Sequence, residues 1–285
     1  LLDAVRDRQA ALVAQWLHLG FIHGVMNTDN CQVAGETIDF GPCAFMDAYH
    51  PETVFSSIDR NGRYAFASQP AIAHWNLVRF AETLLPLLGD DQDSAVAAAQ
   101  AALDPFAGQF EAAYGAGLRL KIGLAPAETF VIGEDTALIR ELFDLMAAGR
   151  ADFTLTFRRL ADAAVEPAAN QGSAADPAAD VAFAALFSGG VDPTSWLAQW
   201  RARLASDPAT PAERRTQMRA VNPLYIPRNH RIEQAIAAAI GSGDFAPFHS
   251  LVDVLEKPFD DQPASAHLAA PPAPHEIVEE TFCGT

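Results

Sequence analysis

Apolar positions along the first twenty residues recur at helical spacing. Leu2, Val5, Leu12, Val13, Trp16 and Leu17 largely share one stripe, and Gly20 is placed to end that helix. From residue 69 onward the same periodicity dominates. It predicts helices at Gln69–Leu88, Ser94–Tyr114, Asp135–Ala148, Ala151–Asp162, Asp180–Leu186, Thr194–Ala205, Pro211–Val221, His230–Ala239 and Phe248–Leu255. Between the first helix and the rest the pattern changes. A polar loop, Gly24–Asn30, is followed by two short extended runs, Cys31–Val33 and Glu36–Ile38, joined by Ala34-Gly35 as a tight hairpin. Gly41–Arg63, broken by Pro42, Pro51, Asn61 and Gly62, reads as a long irregular loop of the kind that carries function or moves. Ala164–Ala179 reads as a flexible insertion and Pro263–Pro274 as a Pro/Ala-rich linker. The class is mainly α.

Composition narrows the functions. The 285 residues suffice for one large domain or two small ones, and half are hydrophobic. The formal net charge of −17 argues against binding nucleic acid, which needs a basic face, and against anionic membranes. No apolar run reaches the roughly 18 residues that span a bilayer. The basic residues are nearly all arginine, the lysines being Lys121 and Lys257. Three cysteines, Cys31, Cys43 and Cys283, form no Cys-x-x-Cys pair, which disfavours a zinc ribbon and fits a reducing compartment. The chain opens at Leu1 inside an apparent helix, so an upstream segment is expected.

The chemistry concentrates between His23 and Phe45. If Ala34-Gly35 is a two-residue turn, Val33 faces Glu36, Gln32 faces Thr37, Cys31 faces Ile38 and Asn30 faces Asp39. Opposed residues on antiparallel strands have Cβ atoms roughly 4.5–5.5 Å apart. An amide oxygen and a carboxylate then meet at the hairpin's open end, a suitable clamp for a hard divalent cation such as Mg²⁺. Asp29 adds a second carboxylate that can accept a proton from an attacking hydroxyl or shape the metal's water shell. A helix, a His-Gly loop, Asn30, a hairpin and then Asp39-Phe40-Gly41 follow the order of parts in a protein-kinase-like catalytic segment. One departure matters: kinases of this fold carry a catalytic Asp two residues after the loop histidine, and here Val25 stands there.

The blocks His23-Gly-Val-Met-Asn-Thr-Asp-Asn30 and Thr37-Ile-Asp-Phe-Gly-Pro-Cys-Ala-Phe-Met-Asp47 closely resemble the selenoprotein O family. So do Arg63–Asn76, Asn222–His230 and the ending Thr281–Thr285. The resemblance implies a protein-kinase-like C-lobe over residues 1–165, with a small β-hairpin at the metal site. It implies a helical C-terminal extension over 166–262, and a tail over 263–285 with a terminal cysteine. It further implies a protein adenylyltransferase that moves AMP from ATP to Ser, Thr or Tyr hydroxyls of proteins. In that scheme Asp29 is the catalytic base, Asn30 and Asp39 hold Mg²⁺ or Mn²⁺, and Asp39 also touches the nucleotide. The family's Gly-rich loop and ATP-contacting lysine belong upstream, so the fragment alone is expected to bind ATP poorly and transfer nothing. The expected location is cytoplasmic, or mitochondrial for a eukaryotic protein. The rivals are a conventional phosphotransferase of the same fold and a non-catalytic nucleotide-binding scaffold.

Other residues carry lesser expectations. His23 is expected to support the loop by holding backbone carbonyls, and Cys31 to be a small buried hydrophobe. Cys283 is a candidate redox-active or disulfide-forming terminus. Trp75, Trp196 and Trp200 are expected in core or interhelix packing. Arg60 and Arg63 are expected to form surface pairs, and Asn229-His230 to cap a helix.

Overall fold

The computed structural model describes residues 1–125, 133–164 and 177–282, and it is mainly helical. Among these residues no helix is long and apolar enough to cross a membrane. The chain forms two compact units. One comprises Leu1–Ala44, Pro51–Gly117 and the end of the chain from Glu280; the other comprises Phe45–His50 and Leu118–Glu279.

In the first unit, helix α1 (Leu2–Leu19) buries Leu2, Val5, Val13, Trp16 and Leu17, the stripe anticipated from spacing. Gly20 ends it in the left-handed region at φ 72°, its N–H on the Trp16 carbonyl. The short strand β1 (Phe21–Ile22) follows and pairs with β2 (Ala44–Phe45), where the chain passes into the second unit. Helix α2 (Gln69–Leu88) packs on α1 and on α3 (Gln92–Leu103). The expected helix Ser94–Tyr114 is instead two, α3 and α4 (Phe106–Lys121), separated at Asp104-Pro105. Pro105 lacks the N–H for the helical ladder, and its ring collides with the carbonyl of the preceding turn. Asp91 caps α3, its carboxylate accepting from the Ser94 N–H at 2.9 Å.

The second unit holds α5 (Glu134–Gly149), α6 (Phe153–Ala163), α7 (Pro177–Ala184), α8 (Thr194–Leu204), α9 (Pro211–Val221), α10 (Asn229–Ser242), α11 (Ala246–Leu255) and the short α12 (Ala266–Ala269). Trp196 and Trp200 stack with centroids 5.9 Å apart in its core. Each indole N–H donates to a carbonyl, of Leu138 and Ile122 respectively, at 2.8 Å. These two tryptophans are buried as expected. Trp75 is not: it stands 43% exposed on α2.

Two further expectations need correcting. Pro263–Pro274 is not a plain linker, because it contains a 3₁₀ turn and α12, and Leu268 and Ala269 pack with Tyr225, Ala235, Leu251 and Val254. The Asn229 side chain caps nothing. Arg228 occupies the cap position, and the Asn229 amide donates to the Phe45 carbonyl at 3.2 Å. Most of the Ala164–Ala179 insertion, and Cys283, lie outside the described residues.

Candidate metal and nucleotide site

The site belongs to the first unit and is assembled by the segment from Phe21 to Cys43. His23 is fully buried. Its Nε2 lies 2.8 Å from the Ile38 carbonyl, which can only accept, so Nε2 carries the proton. Nδ1 is then free to accept from the Val25 N–H at 3.4 Å. Burial pushes its pKa down, with the Ile38 carbonyl opposing, so the ring stays neutral at neutral pH. His23 therefore clips the loop to the segment leading into Asp39, as the sequence suggested. Gly24, at φ 85°, lets that loop pass close by: a Cβ there would lie 2.8 Å from the Pro42 carbonyl oxygen.

The hairpin differs from the expected one by a single residue. Cys31 bridges Thr37, not Ile38, and a turn closed by the Gly35 N–H on the Gln32 carbonyl joins the two arms. The reason is α1, against which the turn is pressed. A Cβ on Gly35 would meet the Arg8 Cβ at 2.6 Å. The Gln9 amide donates to the Gln32 carbonyl at 2.6 Å, and the Trp16 indole to the Thr37 hydroxyl at 2.9 Å. Asn30 and Asp39 are accordingly not a strand pair. Asn30 ends a 3₁₀ turn, Thr28–Asn30, and Asp39 sits in the left-handed region at φ 57°. They meet nonetheless, Asn30 Nδ2 donating to Asp39 Oδ2 at 2.6 Å. Left-handed backbone at a residue other than glycine costs on the order of 1 kcal/mol and tends to persist where a site requires it; Asp tolerates it better than most.

Asn30 spends both amide protons, on Asp39 and on the Val25 carbonyl at 3.1 Å. Its side-chain oxygen and Asp39 Oδ1 accept none of the hydrogen bonds found among the described residues. Asp29 and Asp39 are exposed and Asn30 is half-buried. The donor set is thus an amide oxygen and carboxylate oxygens open to solvent, which suits Mg²⁺ or Mn²⁺ completed by phosphate and water. Among the described residues no three His, Cys, Asp or Glu side chains gather into a metal site, so phosphate and water would have to fill the remaining positions.

Several residues that hold this loop were missed from the sequence. Gln69 donates to the Phe21 carbonyl at 2.9 Å and accepts from the His23 N–H at 3.0 Å. Asn76 donates to the Met26 carbonyl at 3.0 Å and to the Cys31 sulfur at 2.9 Å. The Tyr64 hydroxyl donates to the Asn27 side-chain oxygen at 2.8 Å. A signal existed: Gln69 and Asn76 are polar residues two turns apart, on the α2 face that also buries Ala73 and Leu77. At the far end of the chain Thr281 bridges Ser56, and its hydroxyl donates to the Pro42 carbonyl at 2.6 Å. Burial, helped by the Asp39 charge, pushes the Cys43 thiol up to about 11, and burial also raises Cys31. Neither is a thiolate nucleophile at neutral pH. A cavity of about 270 Å³ lined by Val5, Gln9, Cys31, Asn76 and Phe80 adjoins the loop, but Asp29, Asn30 and Asp39 do not line it.

Fold and site together define a mainly helical protein in which one polar loop, clipped by a histidine, presents oxygen donors at the surface. The chain belongs to the SelO family: the family model described as protein adenylyltransferase SelO matches residues 1–256. Among curated relatives, the protein nucleotidyltransferase YdiU of Bradyrhizobium sp. (strain BTAi1) is 59% identical over 288 residues, covering 100% of this chain and 55% of the relative. Proteins of the same name from Rhizobium etli (strain CFN 42) and Methylorubrum extorquens are 55% and 56% identical. They are matched over 54% and 56% of their lengths, and 100% of this chain. The chain spans about half the length of the curated relatives it matches.

Proposed function

We propose that this chain is the metal-holding half of a protein adenylyltransferase of protein-kinase-like fold. Residues 1–165 correspond to the C-lobe, 166–262 to a helical extension and 263–285 to a tail. Asn30 and Asp39 hold Mg²⁺ or Mn²⁺, and Asp39 also faces the ATP phosphates. When bound, the cation offsets the phosphate charge that grows as pyrophosphate departs. An acceptor Ser, Thr or Tyr hydroxyl attacks the α-phosphorus. The new O–P bond forms as the bond to the bridging α–β oxygen breaks, and pyrophosphate leaves. The hydroxyl proton passes to Asp29. This follows from what the loop offers: Val25, where a phosphotransferase would carry its proton acceptor, is a buried hydrocarbon, and Asp29 is the loop's exposed carboxylate.

The observation that carries the reading is the Asn30–Asp39 contact, with Asp39 held in left-handed backbone and exposed Asp29 next to Asn30 in the chain. The family membership and the relatives' names support nucleotidyl transfer. Phe40 and Val33, 63% and 49% exposed, are apolar side chains left bare on the 31–41 segment. These bare side chains suit contact with a nucleotide-gripping half, without which the chain transfers nothing. ATP as substrate accords with a cytoplasmic location.

The test uses a protein of family length carrying this chain, incubated with a protein acceptor and ATP labelled at either the α or the γ phosphate. Transfer of the α label, lost by about a hundredfold or more in Asp39→Ala, is expected. Transfer of the γ label would instead make the protein a phosphotransferase. A function indifferent to Asp39→Ala would make it a scaffold.

A further inference from the structure

Arg63 is an exposed arginine that meets aromatic rings rather than a carboxylate. The formal net charge is −17, and many arginines are spent on carboxylates within the fold, among them Arg6, Arg119, Arg158, Arg201, Arg214 and Arg228. Arg60 and Arg63 are exposed and form no ion pair among the described residues. Instead the Arg63 guanidinium lies 4.8 Å from the ring centroid of Trp75 and 5.7 Å from that of Tyr64. A second guanidinium, Arg79, lies 5.3 Å from the Trp75 ring, its charge shared with Glu82 at 2.7 Å. The nearby Asp59 carboxylate is turned to the backbone, accepting from the N–H groups of Arg63 and Tyr64 at 2.9 and 2.8 Å.

The result is an exposed indole stacked with arginine in an otherwise acidic chain. Tryptophan and arginine are the residues most enriched at the energetic centres of protein interfaces. The patch is also wired to the candidate site. Tyr64 bonds Asn27, and Asn27 opens the 3₁₀ turn that carries Asp29 and Asn30.

We propose that Arg63 and Trp75 form a docking surface for an acidic segment of the acceptor protein, one whose carboxylates flank the hydroxyl to be modified. This rests on the transferase reading above. A planar guanidinium presents paired N–H groups that match a carboxylate, and stacking on the indole fixes that fork in advance. The net charge of −17 disfavours docking of an acidic segment on most of the chain, so a guanidinium fork held in advance by the indole sets the place of docking.

The experiment is fluorescence anisotropy of the chain with a labelled dodecapeptide of alternating glutamate and glycine around one tyrosine, against its glutamine counterpart. The acidic peptide should bind at least about tenfold tighter. That preference should vanish in Arg63→Glu and Trp75→Ala, fall in 0.5 M salt at the ionic screening expected there, and persist in Arg140→Glu, an exposed arginine of the other unit. Equal binding of the two peptides overturns the proposal, as does an equal loss in Arg140→Glu. In a protein of family length, Arg63→Glu should raise KM for the acidic peptide about tenfold and leave kcat unchanged. Intact acidic preference without any AMP transfer would reject the transferase reading and leave the docking surface standing.

Discussion

In the first unit the loop from His23 to Asp39 is held by neutral groups. Gln9, Trp16, Gln69 and Asn76 bond it with amides and an indole, and the buried His23 is uncharged. In the second unit, buried arginines carry much of the polar bonding. Arg228, fully buried, reaches Asp152 at 2.7 Å, Asp47 and the Ala269 carbonyl; Arg158 reaches Asp261 at 2.7 Å and the Phe259 carbonyl at 2.9 Å. The difference has a physical consequence. Neutral anchors satisfy the loop's backbone, and among the described residues no cation pairs with Asp29 or Asp39, so both keep their carboxylates for an incoming metal. The ionic network of the second unit is consumed internally and serves to fix structure. Arginine suits the second task because it stays charged when buried.

The contrast can be broken most severely at Arg228. Arg228→Ala leaves the Asp47 and Asp152 carboxylates without their shared cation and should lower the unfolding free energy by about 3–5 kcal/mol in urea denaturation. A loss below about 1 kcal/mol would mean that the network is not structural. Asn76→Leu tests the neutral side. It removes the donor to the Met26 carbonyl and should cost about 1–3 kcal/mol. Faster amide exchange concentrated between His23 and Cys31 is the expected sign, and uniform exchange throughout the chain would contradict it.

Lys121 sharpens the comparison through its dependence on pH. It is buried with its Nζ 2.7 Å from the Asn222 side-chain oxygen and 4.1 Å from the Phe157 ring centroid, and burial lowers its pKa to about 7. The unfolded chain keeps that proton up to the ordinary value of 10.5. Between these pH values the unfolded state binds the extra proton, so stability should rise with pH, by at most about 1.4 kcal/mol per unit. Below about pH 7 both states are protonated and the contribution levels off. In Lys121→Met the rise through that window should disappear, as read from denaturation midpoints at pH 7 and 9.

Much of this was legible in the sequence because periodicity reports burial. The bounds of α2 and α9 follow directly from their apolar spacing and flanking signals, and Thr210 with Glu213 closes a capping box at the start of α9. The break between α3 and α4 is masked in the pattern because Leu103 and Phe106 keep helical spacing across Pro105. The association of Asn30 with Asp39 was also legible, but not its geometry. Local turn rules assumed a two-residue connection, whereas the contacts of Gln9, Trp16 and Arg8 with the turn set the register. The polar anchors Gln69 and Asn76 were hidden for a related reason. A buried amide is explained only by the carbonyl it meets, and these carbonyls lie some fifty residues away in the chain.

A cation held by Asn30 and Asp39 is the central requirement of the proposed transfer. Adding Mn²⁺ at substoichiometric levels while recording the amide spectrum tests this directly, because paramagnetic broadening marks the binding residues even when affinity is weak. Broadening should appear first at Asp29, Asn30 and Asp39, including the Asn30 side-chain amide, and should be absent from those positions in Asp39→Ala. Broadening confined to other acidic surfaces, with Asn30 and Asp39 untouched, would contradict the account.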